Sequence, residues 1–210
     1  MNSDIQLKTM PKIQQNLLKT LAETQWISSF YLVGGTALAL LIGHRRSIDF
    51  DFFTATPFRN RDITNQLTKS GKFELFSEAE NTVNGSLNGV KVSFFTYDYP
   101  LLSDFVCYKN FRIAGKLDIA LMKLEAISGR GRKKDFIDLY FLLDDFELKD
   151  LFTVYKKKFG EALSNEYHLL KSLVYFEYAE REAMPVMHRN ISWSEVKDKI
   201  TQNVKEIKID

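Results

Sequence analysis

Two aspartates, Asp49 and Asp51, stand two residues apart in the stretch "SIDFDFF", where Ile48, Phe50 and Phe52 fill the alternate positions. In an extended strand successive side chains point to opposite faces, so the two carboxylates share one face about 7 Å apart and the three apolar residues share the other. Close carboxylates without a partner repel each other and raise at least one pKa. A divalent cation removes that repulsion. Mg²⁺ takes one or two carboxylates together with waters and substrate phosphates, so an Asp-x-Asp strand suits a metal-bound nucleoside triphosphate. Taken alone, the spacing favours a solvated outer face that carries two surface acids.

A second feature lies just upstream. "FYLVGG" is a short apolar run stopped by Gly34 and Gly35, and "TALALLIG" is helix-prone and closed by Gly43. A helix that opens at Gly34, Gly35 and Thr36 offers backbone N–H groups and a hydroxyl to a phosphate with no side chain in the way. A bland turn is the alternative. Because the glycines and the aspartates fall at adjoining strand ends of one strand, helix, strand unit, phosphate and metal would share a place, which favours a combined site.

Further along, residues 116 to 128 read as a helix with Leu117, Ala120, Leu121 and Leu124 on one face. Asp118 and Glu125 share a second face, and Lys123 projects elsewhere among covered surface. A lysine so placed needs an anion, either nucleotide phosphate or an ordinary salt-bridge partner. In "RKKDFIDLYFLL", Asp135 falls in a first helical turn, where the helix dipole favours a carboxylate. Asp138 lies one turn on amid Ile137, Leu139, Phe141 and Leu142, where a charge must be paired, with Lys123 the obvious partner.

The elements that must position these residues divide the chain in two. Residues 5 to 25 carry Ile5, Leu7, Ile13, Leu17, Leu18 and Leu21 at helical spacing. After the strand, helix, strand unit, residues 59 to 69 read as a helix and "KFELFSE" as a strand. The two Asn-Gly pairs of "NTVNGSLNGVKVSFFTYDYP" predict a hairpin or short antiparallel pair, after which the sheet ends near Pro100. From Lys116 the pattern is helical over 116–128, 133–145, 148–159, 165–180 and 193–206. The expectation is an α+β chain: a mixed sheet flanked by helices over residues 1–110 and a helical bundle over 111–210.

Composition narrows the setting. With 210 residues, 45% hydrophobic and 27% charged, the chain can bury a proper core. One cysteine, Cys107, excludes an internal disulfide, and no signal-like segment opens the chain, so the expectation is cytoplasmic. No apolar run approaches the roughly 20 residues of a membrane helix. A net charge of +2 announces no nucleic-acid partner, although Lys and Arg are in local excess between Lys109 and Lys134, densest in "GRGRKK". Zinc has no ligand set: His168 and His188 lack partners at metal-ligand spacing, and His44 reads as a surface or capping residue.

"GGTALALLIGHRRSIDFDFF" resembles the signature of the polymerase-beta-like nucleotidyltransferase superfamily, and with "KLDIALMKLEAISGRGRKKDFIDLYFLL" behind it the chain is similar to the AbiEii/AbiGii toxin family, which includes MenT-type toxins. The two motifs occur in the right order over about residues 30 to 145. The resemblance implies a nucleotidyltransferase-type sheet and transfer of a nucleoside monophosphate from a nucleoside triphosphate to an acceptor hydroxyl, with Mg²⁺ or Mn²⁺. It implies the toxin of a toxin–antitoxin pair, with RNA, tRNA above all, as acceptor and a cognate antitoxin as partner. Asp49 and Asp51 would bind metal. Gly34, Gly35, Thr36, Arg45 and Ser47 would seat the triphosphate, Lys123 would neutralise it, and Asp138, with Asp135 in reserve, would complete the catalytic set. Arg46 has a weaker claim than Arg45. One departure stands out: many superfamily members carry a third carboxylate on a later strand, and in "VKVSFF" Ser93 occupies that position. A catalytically reduced binding module, or transfer to a protein or small molecule, are the competing expectations.

Overall fold

In the computed structural model, residues 5–160 and 165–207 are described, and the chain divides into two compact units. The first runs to Pro100 and resumes over Asp104–Gly115; the second takes Leu101–Ser103 and continues from Lys116.

The first unit is built on a seven-stranded mixed sheet. Its elements in chain order are α1 (Lys12–Ala22), β1 (Tyr31–Val33), α2 (Gly34–Ile42), β2 (Phe50–Thr54), α3 (Asn60–Ser70), β3 (Phe73–Ala79), β4 (Thr82–Leu87), β5 (Val90–Thr96), β6 (Val106–Tyr108) and β7 (Phe111–Ile113). The strand order is β3-β4-β5-β2-β1-β7-β6, with β2 parallel to β5 and β1 parallel to β7. One face is apolar and buried: Leu32, Phe50, Phe52, Val83, Val92, Phe94, Phe111 and Ile113 are each at most 2% exposed. Phe52 stacks on Phe94 with ring centroids 4.8 Å apart. Each phenylalanine buried this fully is worth about 1.5–3 kcal/mol, which fixes β2 to the core and with it the aspartates between those rings.

Several expectations are corrected here. The sheet does not end near Pro100: β6 and β7 follow, and β7 hydrogen-bonds beside β1. Of the two Asn-Gly pairs only Asn88–Gly89, at φ 51° and 80°, makes the hairpin turn. These left-handed values are what a two-residue turn between twisted strands demands. Asn84–Gly85 lies inside β4, where a Cβ on Gly85 would strike the Phe73 ring. The helix expected over 5–25 is interrupted by Pro11, which has no N–H to give; a 3₁₀ turn (Leu7–Thr9) precedes α1 and another (Trp26–Ser29) follows it. Leu17, Leu18 and Leu21 are buried as expected, whereas Ile13 is 50% exposed.

The second unit is helical: α4 (Lys116–Gly129), α5 (Lys133–Leu142), α6 (Leu148–Phe159), α7 (Glu166–Leu173), α8 (Glu177–Glu180) and α9 (Trp193–Lys205). The single helix expected over 165–180 breaks between α7 and α8 at the β-prone run Val174–Tyr175–Phe176. A capping box of Ser192 and Glu195 starts α9. α4 is nearly submerged, and its second face meets α6. There Asp118 accepts from Lys158 Nζ at 2.7 Å and from the backbone of Leu102 and Ser103, while Glu125 accepts from the Tyr155 hydroxyl. Lys158 is therefore a buried structural partner. Among the described residues no helix is long and apolar enough to cross a membrane.

Candidate active site

Local sequence explains how the first unit sets its two aspartates. Regular pairing of β2 begins only at Phe50, and from there burial alternates: Phe50, Phe52 and Thr54 inward, Asp51 and Phe53 half-exposed. Asp49 is the last residue before the ladder, also half-buried. Ile48 lies outside it and is 54% exposed, so only two of the three expected apolar anchors serve the core. The lead-in is held by side chains instead. Thr36, 1% exposed in the first turn of α2, gives its hydroxyl proton to the Asp49 carbonyl and lies 2.9 Å from Ser47 Oγ, while Gln14 Nε2 donates to the Ile48 carbonyl.

Part of the space beside Gly34 and Gly35 is taken by the protein's own polar groups. Gly34 sits at φ 72°, a conformation that costs other residues about 1–2 kcal/mol, and a Cβ there would lie 3.3 Å from Asp51 Oδ2. A Cβ on Gly35 would overlap the Arg45 guanidinium and come within 3.1 Å of Ser47 Oγ. The β1–α2 turn thus draws Asp51, Arg45 and Ser47 around the N-terminus of α2, where exposed N–H groups and the helix dipole favour an anion. Arg45 is 3% exposed and donates from Nη1 to the Arg46 carbonyl at 3.0 Å. Arg46 itself is exposed. His44 is fully buried, not at the surface, in the segment that follows the left-handed Gly43 cap.

The sheet register places Ser93 directly. Asp51 pairs with Ser93 on β5, Ser93 pairs with Asn84 on β4, and Val33 faces Asp51 from β1. The row across the sheet reads Val33, Asp51, Ser93, Asn84, with one acid. Two residues on, the next row is aromatic, with Phe53 and Phe95 centroids 5.7 Å apart and Tyr97 stacked on Phe53 at 4.7 Å. Among the described residues no group of three or more His, Cys, Asp or Glu is arranged to hold a metal ion. Asp51 beside the N-terminus of α2, with half-buried Asp49 two residues before it, nevertheless offers hard oxygen ligands that fit Mg²⁺ or Mn²⁺, which complete their shells with water and phosphate oxygens.

In the second unit, Lys123, Asp135 and Asp138 come together. Lys123 Nζ lies 2.8 Å from Asp135 Oδ1 and 2.6 Å from Asp138 Oδ2, with both carboxylates fully buried. Arg130 adds two hydrogen bonds to Asp135, at 3.0 and 3.2 Å. Burial opposes the Asp135 charge, but Lys123 and Arg130 outweigh it and hold its pKa below the ordinary carboxylate value. Asp135, in the first turn of α5, is thus also an equal member of the cluster. Sequence reasoning missed Lys134, a half-buried lysine whose pKa is lowered by burial and by Arg132, against the pull of Asp135. "GRGRKK" read only as a charge excess; the signal was a lysine one position before the paired acid.

Comparison with known proteins bears on the family and the fold. Residues 16–103 match the family described as "Nucleotidyl transferase AbiEii toxin, Type IV TA system". The uncharacterised protein aq_aa25 of Aquifex aeolicus (strain VF5) is 38% identical over 208 residues, covering 95% of this chain and 98% of its own length. Among solved structures, JHP933 from Helicobacter pylori superposes with a TM-score of 0.57 at 19% identity, over 92% of this chain and 88% of that one. A candidate nucleotidyltransferase from H. pylori gives 0.56 at 18% identity, over 92% and 91%. At these identities the two structures establish a shared fold.

Proposed function

We propose, from the match of residues 16–103 to the AbiEii nucleotidyl transferase toxin family, that this chain moves a nucleoside monophosphate from a nucleoside triphosphate onto a hydroxyl of RNA, with tRNA the acceptor that the family likeness favours. The observation that carries this reading is the β1–α2 turn, where Gly34 and Gly35 admit Asp51, Arg45 and Ser47 to the N-terminus of α2.

Asp49 and Asp51 are the residues to hold Mg²⁺ or Mn²⁺, which when bound offsets charge on the phosphates. The α2 N–H groups and Arg45 bind phosphate oxygens, and Ser47 lines the same turn. Thr36 works from behind as a positioning residue, because its hydroxyl is committed to the Asp49 carbonyl. Lys123 and Lys134 supply positive charge, an assignment that for Lys123 rests on the family's second motif. Asp135 and Asp138 orient Lys123; two buried ion-paired carboxylates are poorly suited to accept a proton. Phosphoryl transfer depends mainly on positioning and electrostatics, so the acceptor hydroxyl can lose its proton late, to a phosphate oxygen or water, with no carboxylate at Ser93. A cognate antitoxin is the partner that the match to a toxin family favours.

The single acid in the row of Ser93 favours one second reading, a catalytically reduced module that binds nucleotide without transferring it. Incubating the protein with labelled triphosphates, Mg²⁺ and total RNA separates the readings. Label on RNA supports transfer, bound but unreacted nucleotide supports the module, and label on protein or a small product moves the acceptor elsewhere.

A further inference from the structure

The second unit holds a cavity of about 420 Å³ at the C-terminal end of α4 that no step above uses. Its walls include Ile127, Arg130, His168, Lys171, Tyr175 and Tyr178. Tyr175 and Tyr178 are 50% and 61% exposed and lie edge to face at 5.8 Å. Tyr167 is 59% exposed, with Lys171 Nζ 4.3 Å from its ring centre. Large aromatic faces left this open on a folded surface mark a binding site.

We propose that this cavity seats an unpaired nucleotide of the acceptor RNA, an inference that rests on the RNA-acceptor reading above. The charge on the walls favours an anionic occupant: Lys171 is a cation, Arg130 is one shared with Asp135, and no Asp or Glu lies among the lining residues, Glu177 accepting from the Tyr175 hydroxyl outside them. Stacking rings interleaved with cations is the arrangement by which single-stranded nucleic acid is held without base-specific hydrogen bonds. The volume falls in the range of about 300–1,000 Å³ typical of small-ligand pockets, which suits one splayed nucleotide and excludes a duplex. Position strengthens the case. Arg130 forms one wall while gripping Asp135, the carboxylate that also holds Lys123, so RNA seated here lies beside the buried cluster of the same unit.

The test uses the full chain and a fluorescent, unstructured single-stranded RNA oligonucleotide. Anisotropy is measured for the wild type, Tyr175→Ala, Tyr178→Ala, Lys171→Ala and Tyr178→Phe, beside melting temperature and affinity for nucleoside triphosphate alone. The expected result is RNA binding weaker by about tenfold for each Tyr→Ala variant, the size of one lost base–ring stack, with Tyr178→Phe close to wild type and nucleotide affinity and melting unchanged. Equal RNA affinity across the tyrosine variants overturns the proposal, as does loss of a co-purifying protein from them while RNA binding stays intact. A wild type that labels RNA with a KM indifferent to these substitutions defeats the pocket and leaves transfer standing. A wild type that binds RNA through the tyrosines without transferring label does the reverse.

Discussion

Ser93 stands directly beside Asp51 on the parallel neighbouring strand, at the position where the superfamily resemblance implies a third carboxylate. It is 3% exposed, and its flanks Val92 and Phe94 are wholly buried, so the register is locked by the core and cannot slip to bring another residue there. Under the proposed function, the site works with Asp49 and Asp51 alone and relies on electrostatic positioning.

If Ser93 takes no proton, Ser93→Ala leaves kcat for RNA labelling within about threefold, well short of the 10²–10⁴-fold effect of losing a general base. Ser93→Asp buries a third carboxylate beside Asp51. It is expected to lower the melting temperature in EDTA and to regain it with Mg²⁺, read by differential scanning calorimetry with and without the ion.

Gly35→Ala places a methyl group where the Arg45 guanidinium lies, so Arg45 must leave the α2 N-terminus. Misplacing a binding group by about 1 Å costs on the order of 10²-fold in rate, and that loss is expected in kcat/KM for the triphosphate. Gly34→Ala adds backbone strain of about 1–2 kcal/mol, visible as a lower urea midpoint.

Removing Lys123 takes a cation away from two buried carboxylates, of which Asp135 keeps Arg130. Breaking a buried pair on one side costs about 3–5 kcal/mol, so Lys123→Met is expected to destabilise the protein strongly in urea titration. Adding Asp135→Asn and Asp138→Asn to it recovers part of the loss, because the uncompensated charge is gone.

Acid stability follows from the same cluster. The Asp135 pKa in the folded protein lies below its ordinary value of 3.8. Its ionised form therefore contributes stability that is fully present above that value and lost as pH falls from there through the lowered folded value. Acid unfolding followed by circular dichroism is expected to show this loss below about pH 4, and Asp135→Asn flattens that part of the curve.

Much of this was legible in the residues. The alternation of "SIDFDFF" identified the strand, its aspartates and two of its core anchors, and the demand for a partner at Asp138 led to Lys123. What escaped were features that depend on distant chain. Ile48 looked like a third anchor because periodicity extends past the point where β5 stops pairing. Nor does anything local show that Arg45 and Asp51 come close to the glycines. β6 and β7 are three-residue strands, too short to show a period, and join the sheet only through β1. The run "KKK" gives no sign that Lys158 is buried, because its partner, Asp118, is forty residues away.

The most direct measurement is the rate of label transfer from a radiolabelled nucleoside triphosphate to purified RNA in Mg²⁺, for wild type, Asp49→Asn and Asp51→Asn. The substitutions keep shape and remove charge, so folding is expected to survive. The account predicts labelled RNA from the wild type and a fall of at least about 10²-fold in each variant, the scale on which losing electrostatic stabilisation acts. Undiminished transfer by Asp51→Asn, or a wild type that binds nucleotide and labels no RNA, contradicts it.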